Sequence, residues 1–147
     1  MIYSGIPKKR RAEPEFQSQC ALIAWSRNPA VLSKYPGIDL LSCSLNGVKL
    51  SKAQAGKAKA AGMLKGEYDL KLPIARGPYI GLAIEMKAGR NKPTEEQVWY
   101  GTRLGEEGWH TAVHWDWESA KDEIERYMRL GPSNFFVVRG SIPAPSV

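Results

Sequence analysis

The feature that most constrains this fold is an apolar run at positions 79–88, YIGLAIEMKA, that carries Glu85 and Lys87 within it. A β-strand repeats every two residues, so Leu82, Ile84 and Met86 point to one face and Ala83, Glu85 and Lys87 to the other. Two opposite charges then share one side of an interior strand. That arrangement is costly unless something compensates the charges.

The run YDLKLPI at 68–74 precedes this strand, and ARGP between them has the composition of a tight connection. Folding the two runs into a hairpin about Arg76-Gly77 places Asp69 opposite Ile84 or Glu85. Directly opposed residues have Cβ atoms about 4.5 to 5.5 Å apart, so the carboxylates of Asp69 and Glu85 can meet at one end of the hairpin. Carboxylates that close repel each other unless a proton or a cation lies between them. A hard divalent ion such as Mg²⁺ suits two carboxylate oxygens, keeps several waters and accepts a main-chain carbonyl nearby. Lys87, on the same face as Glu85, stands beside those waters, where it can orient a nucleophile or stabilise developing charge. The pattern is that of a metal-dependent phosphodiester site.

Caps and periodicity give the other elements. Residues 13–27 carry Phe16, Cys20 and Ile23 at helical spacing and end near Asn28-Pro29. After a loop through SKYPG, the run IDLLSCSLN reads as a strand closed by Asn46-Gly47. Ser51 caps a helix through KAQAGKAKAAGML, whose alanines favour helix. Residues 91–108 contain the Thr94-x-x-Gln97 pattern of a capping box and keep Tyr100, Gly101 and Leu104 on one side. HTAVHW is a short strand, and Asp116 caps a last helix in which Ala120, Ile124 and Tyr127 share a stripe. The segment GPSNFFVVRGSIPAPSV adds an edge strand before a Pro/Ser-rich tail. The order helix, strand, helix, hairpin, helix, strand, helix predicts an α/β fold, a small mixed β-sheet flanked by helices.

A chain of 147 residues, 43% hydrophobic, buries one core and has no room for two ordinary domains. The division expected is a flexible basic arm at 1–12, a domain at 13–130 and a C-terminal extension at 131–147. The formal net charge of +6 favours a polyanionic partner. Lys49, Lys52, Lys57, Lys59 and Lys65 form a solvated face suited to tracking phosphates, which position a duplex without reading its sequence. No apolar run is long enough to span a bilayer, and the N-terminus lacks the order of a secretory signal, so a cytoplasmic protein with no membrane partner is expected. Cys20 and Cys43 lack metal-ligand spacing and read as small buried side chains. His110 and His114 lie outside the motif set and read as packing or surface residues. The tryptophans read as core or subunit-contact residues.

Taken in order, GEYD (66–69), IEMK (84–87) and TEEQ ending at Gln97 resemble the VRR-NUC (virus-type replication-repair nuclease) branch of the PD-(D/E)xK, restriction-endonuclease-like superfamily, in its stand-alone phage-type form. The likeness extends to EFQSQ, LNGVK, AAGMLKG and LGEEGWHTAV, over roughly residues 13–128. It implies a restriction-endonuclease-like core in which Asp69, Glu85 and the main-chain carbonyl of Met86 ligate Mg²⁺ or Mn²⁺. Lys87 is then the catalytic lysine, and Glu15 the N-terminal acidic residue that helps hold the metal or its water, with Glu13 as the alternative. Gln97 borders the site, although the capping box alone accounts for a glutamine there. Members of this branch cut DNA, and the stand-alone forms are similar to homodimeric nucleases acting on branched structures such as four-way (Holliday) junctions. This implies a branched-DNA partner, a homodimer and a role in replication, recombination or repair. Where many relatives have Pro-Asp, this chain has Tyr68-Asp69, a change in local rigidity and not in ligands. The competing reading is a catalytically weak nucleic-acid-binding or dimeric scaffold protein of the same fold.

Overall fold

Side-chain caps begin most of the helices. In the computed structural model, which describes residues 14–44 and 49–133, Asn28, Ser51, Thr94 and Asp116 each accept a hydrogen bond from the first turn of the helix that follows. The elements in chain order are α1 (Pro14–Ser26), α2 (Pro29–Lys34), a 3₁₀ turn (Ile38–Leu40), β1 (Ser42–Cys43), α3 (Lys52–Ala60), β2 (Leu70–Leu72), β3 (Gly81–Met86), α4 (Glu95–Glu106), β4 (Trp109–His114) and α5 (Trp117–Met128). The sheet runs β1-β2-β3-β4. Its first two pairings are antiparallel, while β3 and β4 are parallel with α4 as the crossover between them. The expected mixed sheet flanked by helices is the fold observed.

Strand β3 is buried along its whole length, as its two-sided apolar pattern requires. Leu82, Ile84 and Met86 join the larger core with Leu22 of α1 and Ile124 and Tyr127 of α5. Ala83, on the other face, packs with Tyr68 and Tyr100. Across the hairpin Leu70 faces Ile84 and Leu72 faces Leu82, so the register continues to Asp69 opposite Glu85.

Several expectations are corrected. The run IDLLSCSLN is mostly not a strand: Gly37, at φ 94°, leads into a 3₁₀ turn that buries Ile38, and only Ser42–Cys43 pairs in the sheet. Just before it, Asn28 and Pro29 start a second helix where a loop was expected, because an asparagine cap followed by proline at the first position is a helix start as well as a stop. Helix α1 turns only part of the expected face inward: Ile23 packs against the core, but Phe16 and Cys20 do not. Phe16 is 52% exposed, while Leu22 and Ser26 are buried, the serine hydroxyl donating to the Ile23 carbonyl at 2.8 Å. Cys20 and Cys43 are both exposed, contrary to the burial expected of them. Trp25, Trp109 and Trp117 pack against the core as expected, whereas Trp99 and Trp115 are about half exposed and lie outside it.

The basic arm at 1–12, the Asn46-Gly47 turn and all but the first three residues of the segment 131–147, read as an edge strand and tail, fall outside the described residues. No described helix is long and apolar enough to cross a membrane.

One close approach sets how α4 meets the sheet. A Cβ at Gly101 would lie 2.0 Å from the Tyr68 hydroxyl oxygen, so only glycine lets α4 settle over the residue beside Asp69. Gly105, in the same helix, has open space around it. Gly105→Ala should therefore stabilise the domain by up to about 1 kcal/mol through helix propensity. Gly101→Ala should instead destabilise it by about 1 to 3 kcal/mol through overpacking. Thermal or urea unfolding of the two variants checks the contrast; equal effects would remove the steric account of Gly101.

Candidate active site

The hairpin register brings the two acidic side chains together, and main-chain donors then fix them. The Met86 N–H donates to Asp69 Oδ2 at 2.8 Å, and the Asp69 N–H donates to Glu85 Oε2 at 3.2 Å. Each strand thus clasps the carboxylate of the other. Beyond the last shared residue pair of β2 and β3, Met86 is free of the ladder that would otherwise claim its N–H.

The other oxygen of Glu85 is held by side chains. Gln97 Nε2 donates to Glu85 Oε1 at 2.6 Å, and Lys87 Nζ lies 3.0 Å from the same atom. Gln97 also completes the capping box, accepting from the Thr94 N–H at 2.9 Å while its own N–H donates to Thr94 Oγ1 at 3.2 Å. Both roles read for Gln97 are therefore present in one side chain: the amide oxygen caps α4 and the amide nitrogen reaches Glu85. Glu15 arrives from the first turn of α1, its Oε1 accepting from the Ala88 N–H at 3.1 Å. Glu13 lies outside the described residues.

Glu85 and Lys87 are buried, at 2% and 8% exposure. Burial, with the Asp69 charge adding to it, pushes the Glu85 carboxyl up to about 7, against the pull of Lys87 and the Asp69 N–H. Burial also raises the Asp69 carboxyl above its usual range, opposed by the Met86 N–H and Lys87 and reinforced by Glu15. The geometry therefore concentrates negative charge in a place that solvates it poorly, which is what a cation site requires before its cation arrives. The donors suit a hard ion, since all are oxygens: two carboxylates and, at the same strand end, a main-chain carbonyl. Among the described residues no group of three or more His, Cys, Asp or Glu side chains forms a metal cage.

The five lysines Lys49, Lys52, Lys57, Lys59 and Lys65 are all exposed, with Lys65 paired to Glu96 at 2.8 Å. His110 pairs with Glu123 at 2.6 Å and His114 with Ser119 at 3.0 Å, so both serve the contact between β4 and α5. Glu67, beside Tyr68, is half-buried and paired with Lys71.

Sequence reasoning missed the loop at 88–92. Its cations Arg90 and Lys92 are exposed immediately after Lys87, and Trp115 donates its indole N–H to the Asn91 carbonyl at 2.8 Å. The two cations were visible as charges following the Glu-x-Lys pattern, but the tryptophan contact spans 24 positions and leaves no local signal.

No family model matches the chain, and no curated protein does. A solved structure described as a VRR_NUC domain protein superposes with a TM-score of 0.68 at 28% sequence identity, covering 84% of this chain and 95% of that one. The chain is therefore similar to a VRR_NUC domain protein in fold and, at 28% identity, in sequence.

A carboxyl whose pKa is raised by folding is less stable ionised in the native state than in the unfolded chain. Asp69→Asn removes that charge and keeps an acceptor for the Met86 N–H. In EDTA at neutral pH the variant should melt above the parent, by about 0.5 to 2 kcal/mol of added stability. A clear loss of stability would show that the Asp69 charge supports the metal-free fold instead of straining it.

Proposed function

We propose that this VRR-NUC domain is a metal-dependent endodeoxyribonuclease that hydrolyses phosphodiester bonds, with Mg²⁺ or Mn²⁺ held by Asp69, Glu85 and the Met86 carbonyl and with Glu15 beside them. The observation that carries this reading is the buried pair of carboxylates clasped across β2 and β3, with Lys87 against one of them. The similarity to a protein described as VRR_NUC supports it. A bound ion of this kind supplies an activated water and polarises the phosphate.

The protein's own groups do the rest. Glu85 accepts from Gln97, Lys87 and the Asp69 N–H, which fixes both of its oxygens and removes the need for reorganisation when substrate enters. Lys87 provides fixed positive charge beside the reacting phosphate and orients the nucleophile. Glu15, tied to the Ala88 N–H, keeps one carboxylate oxygen at the start of the loop that follows Lys87. The exposed lysines from Lys49 to Lys65 track the DNA backbone, a contact that supplies affinity without sequence preference. Branched DNA, four-way junctions above all, is the substrate proposed, and a homodimer with two such sites suits paired incisions in it.

The test is cleavage of labelled four-way junction, flap, fork and linear duplex with Mg²⁺, Mn²⁺ or EDTA. Branched substrates should be cut only with metal, and Lys87→Ala should lose on the order of 100-fold or more in rate while still binding DNA. Calorimetry should show Mn²⁺ binding to the parent and none to Asp69→Ala. A Lys87→Ala variant that cuts like the parent would sink the mechanism, and a folded parent inert on every substrate would favour a binding or scaffold role.

A further inference from the structure

We infer that the loop at 88–92 is a phosphate clamp for the DNA strand entering the active site, and that Trp115 is the positioning residue that holds the clamp in shape. The inference rests on the nuclease reading above and assigns to that site a part of its substrate contact.

Three ties order the loop. The Ala88 N–H is bonded to Glu15, the Asn91 N–H donates to the Ala88 carbonyl at 3.1 Å, and the Asn91 carbonyl accepts the Trp115 indole N–H at 2.8 Å. Gly89 makes the turn at φ 57°, with nothing within 4 Å of where a Cβ would stand. Between and beside these ties Arg90 and Lys92 are exposed, and among the described residues neither forms an ion pair. A short loop fixed at both ends with two uncommitted cations on it has already lost the backbone freedom that binding would otherwise remove.

Position along the chain gives the reach. Consecutive Cα atoms are about 3.8 Å apart, so Arg90 lies within about 11 Å of Lys87 and Lys92 within about 19 Å. A duplex strand advances about 3.4 Å along the axis per phosphate, so cations spread over that span meet phosphates a few nucleotides from the one at Lys87. Trp115 is 46% exposed and has one polar atom, which it commits to this loop. Its ring gains only part of the benefit of burial, so the contact it makes is better explained by what it fixes than by what it hides.

The experiment is fluorescence anisotropy of labelled duplex and four-way junction with the full chain in EDTA, across a salt series, where no cleavage intervenes. Arg90→Ala and Lys92→Ala should each weaken binding several-fold and reduce the slope of log K against log salt by about 1. Lys34→Ala, which removes an equal charge from the exposed end of α2, should leave the slope unchanged. Trp115→Phe keeps every charge and an aromatic ring but removes the indole N–H, and should weaken binding and lower the slope at an unchanged thermal midpoint. Parent-like slopes in both Arg90→Ala and Lys92→Ala would overturn the clamp. Weaker binding by Trp115→Phe with an unchanged slope would assign the ring to stacking on bases and overturn its positioning role, as would parent-like binding. A parent that binds neither DNA at low salt would bring down the nuclease reading together with the clamp, whereas a binding parent with insensitive loop variants would bring down the clamp alone.

Discussion

The antiparallel register in which Leu70 faces Ile84 sets Asp69 across from Glu85, and a slip of one residue would turn every side chain of the strand to the opposite face. Such a slip is prevented on the other side of the sheet. Leu82, Ile84 and Met86 are buried against α1 and α5, so moving them outward would expose the larger core. The apolar half of β3 therefore fixes the position of its polar half. Once the register is set, the reciprocal bonds from Met86 to Asp69 and from Asp69 to Glu85 leave the two carboxylates few ways to separate.

This closeness carries an electrostatic cost that the fold bears locally. The Glu85 carboxyl rises to about 7 because it is buried beside another acid, and Lys87 offsets only part of that penalty. The compensation lies in packing: Ala83 and the Tyr68 and Tyr100 rings fill the space below α4, and Gly101 admits Tyr68 where any larger residue would collide with it. Tyr68 stands where the resemblance would have led to proline. Its ring is packed against Tyr100 at 5.6 Å between centroids, so the rigidity proline gives through its backbone is here supplied by side-chain packing.

What the sequence made legible follows from where the signals are local. The apolar alternation of β3, the Thr94 to Gln97 box and the Asp116 cap each act within a few residues, and each element formed as read. The hairpin turn bounded its register to two choices, and the cross-strand pairing selects the one that joins Asp69 to Glu85. Helix α1 was misread because its pattern is nearly featureless: Phe16 and Cys20 satisfy helical spacing as well as Leu22 and Ser26 do, and only α5 and the sheet decide which pair is buried. The region from Asn28 to Cys43 failed for a related reason, since Ile38 and Leu41 are buried three residues apart, the repeat of a 3₁₀ turn, within an apolar run whose composition alone reads as a strand.

Several side chains at the site belong at once to the secondary structure and to the contacts around the paired carboxylates, and this coupling accounts for its order. Gln97 closes the α4 cap with its amide oxygen and reaches Glu85 with its amide nitrogen, so the two ends of one planar amide serve the two partners. Glu15 is favoured in the first turn of α1 by the helix dipole, yet its oxygen is spent on Ala88, 73 positions away, which joins the start of the described chain to the loop after Lys87. Trp115, between β4 and α5, secures the far end of that same loop. The loop is thus anchored from two elements on opposite ends of the sequence, while the strand leading into it is fixed by the core. Folding therefore places the carboxylates and the backbone of the loop that carries Arg90 and Lys92.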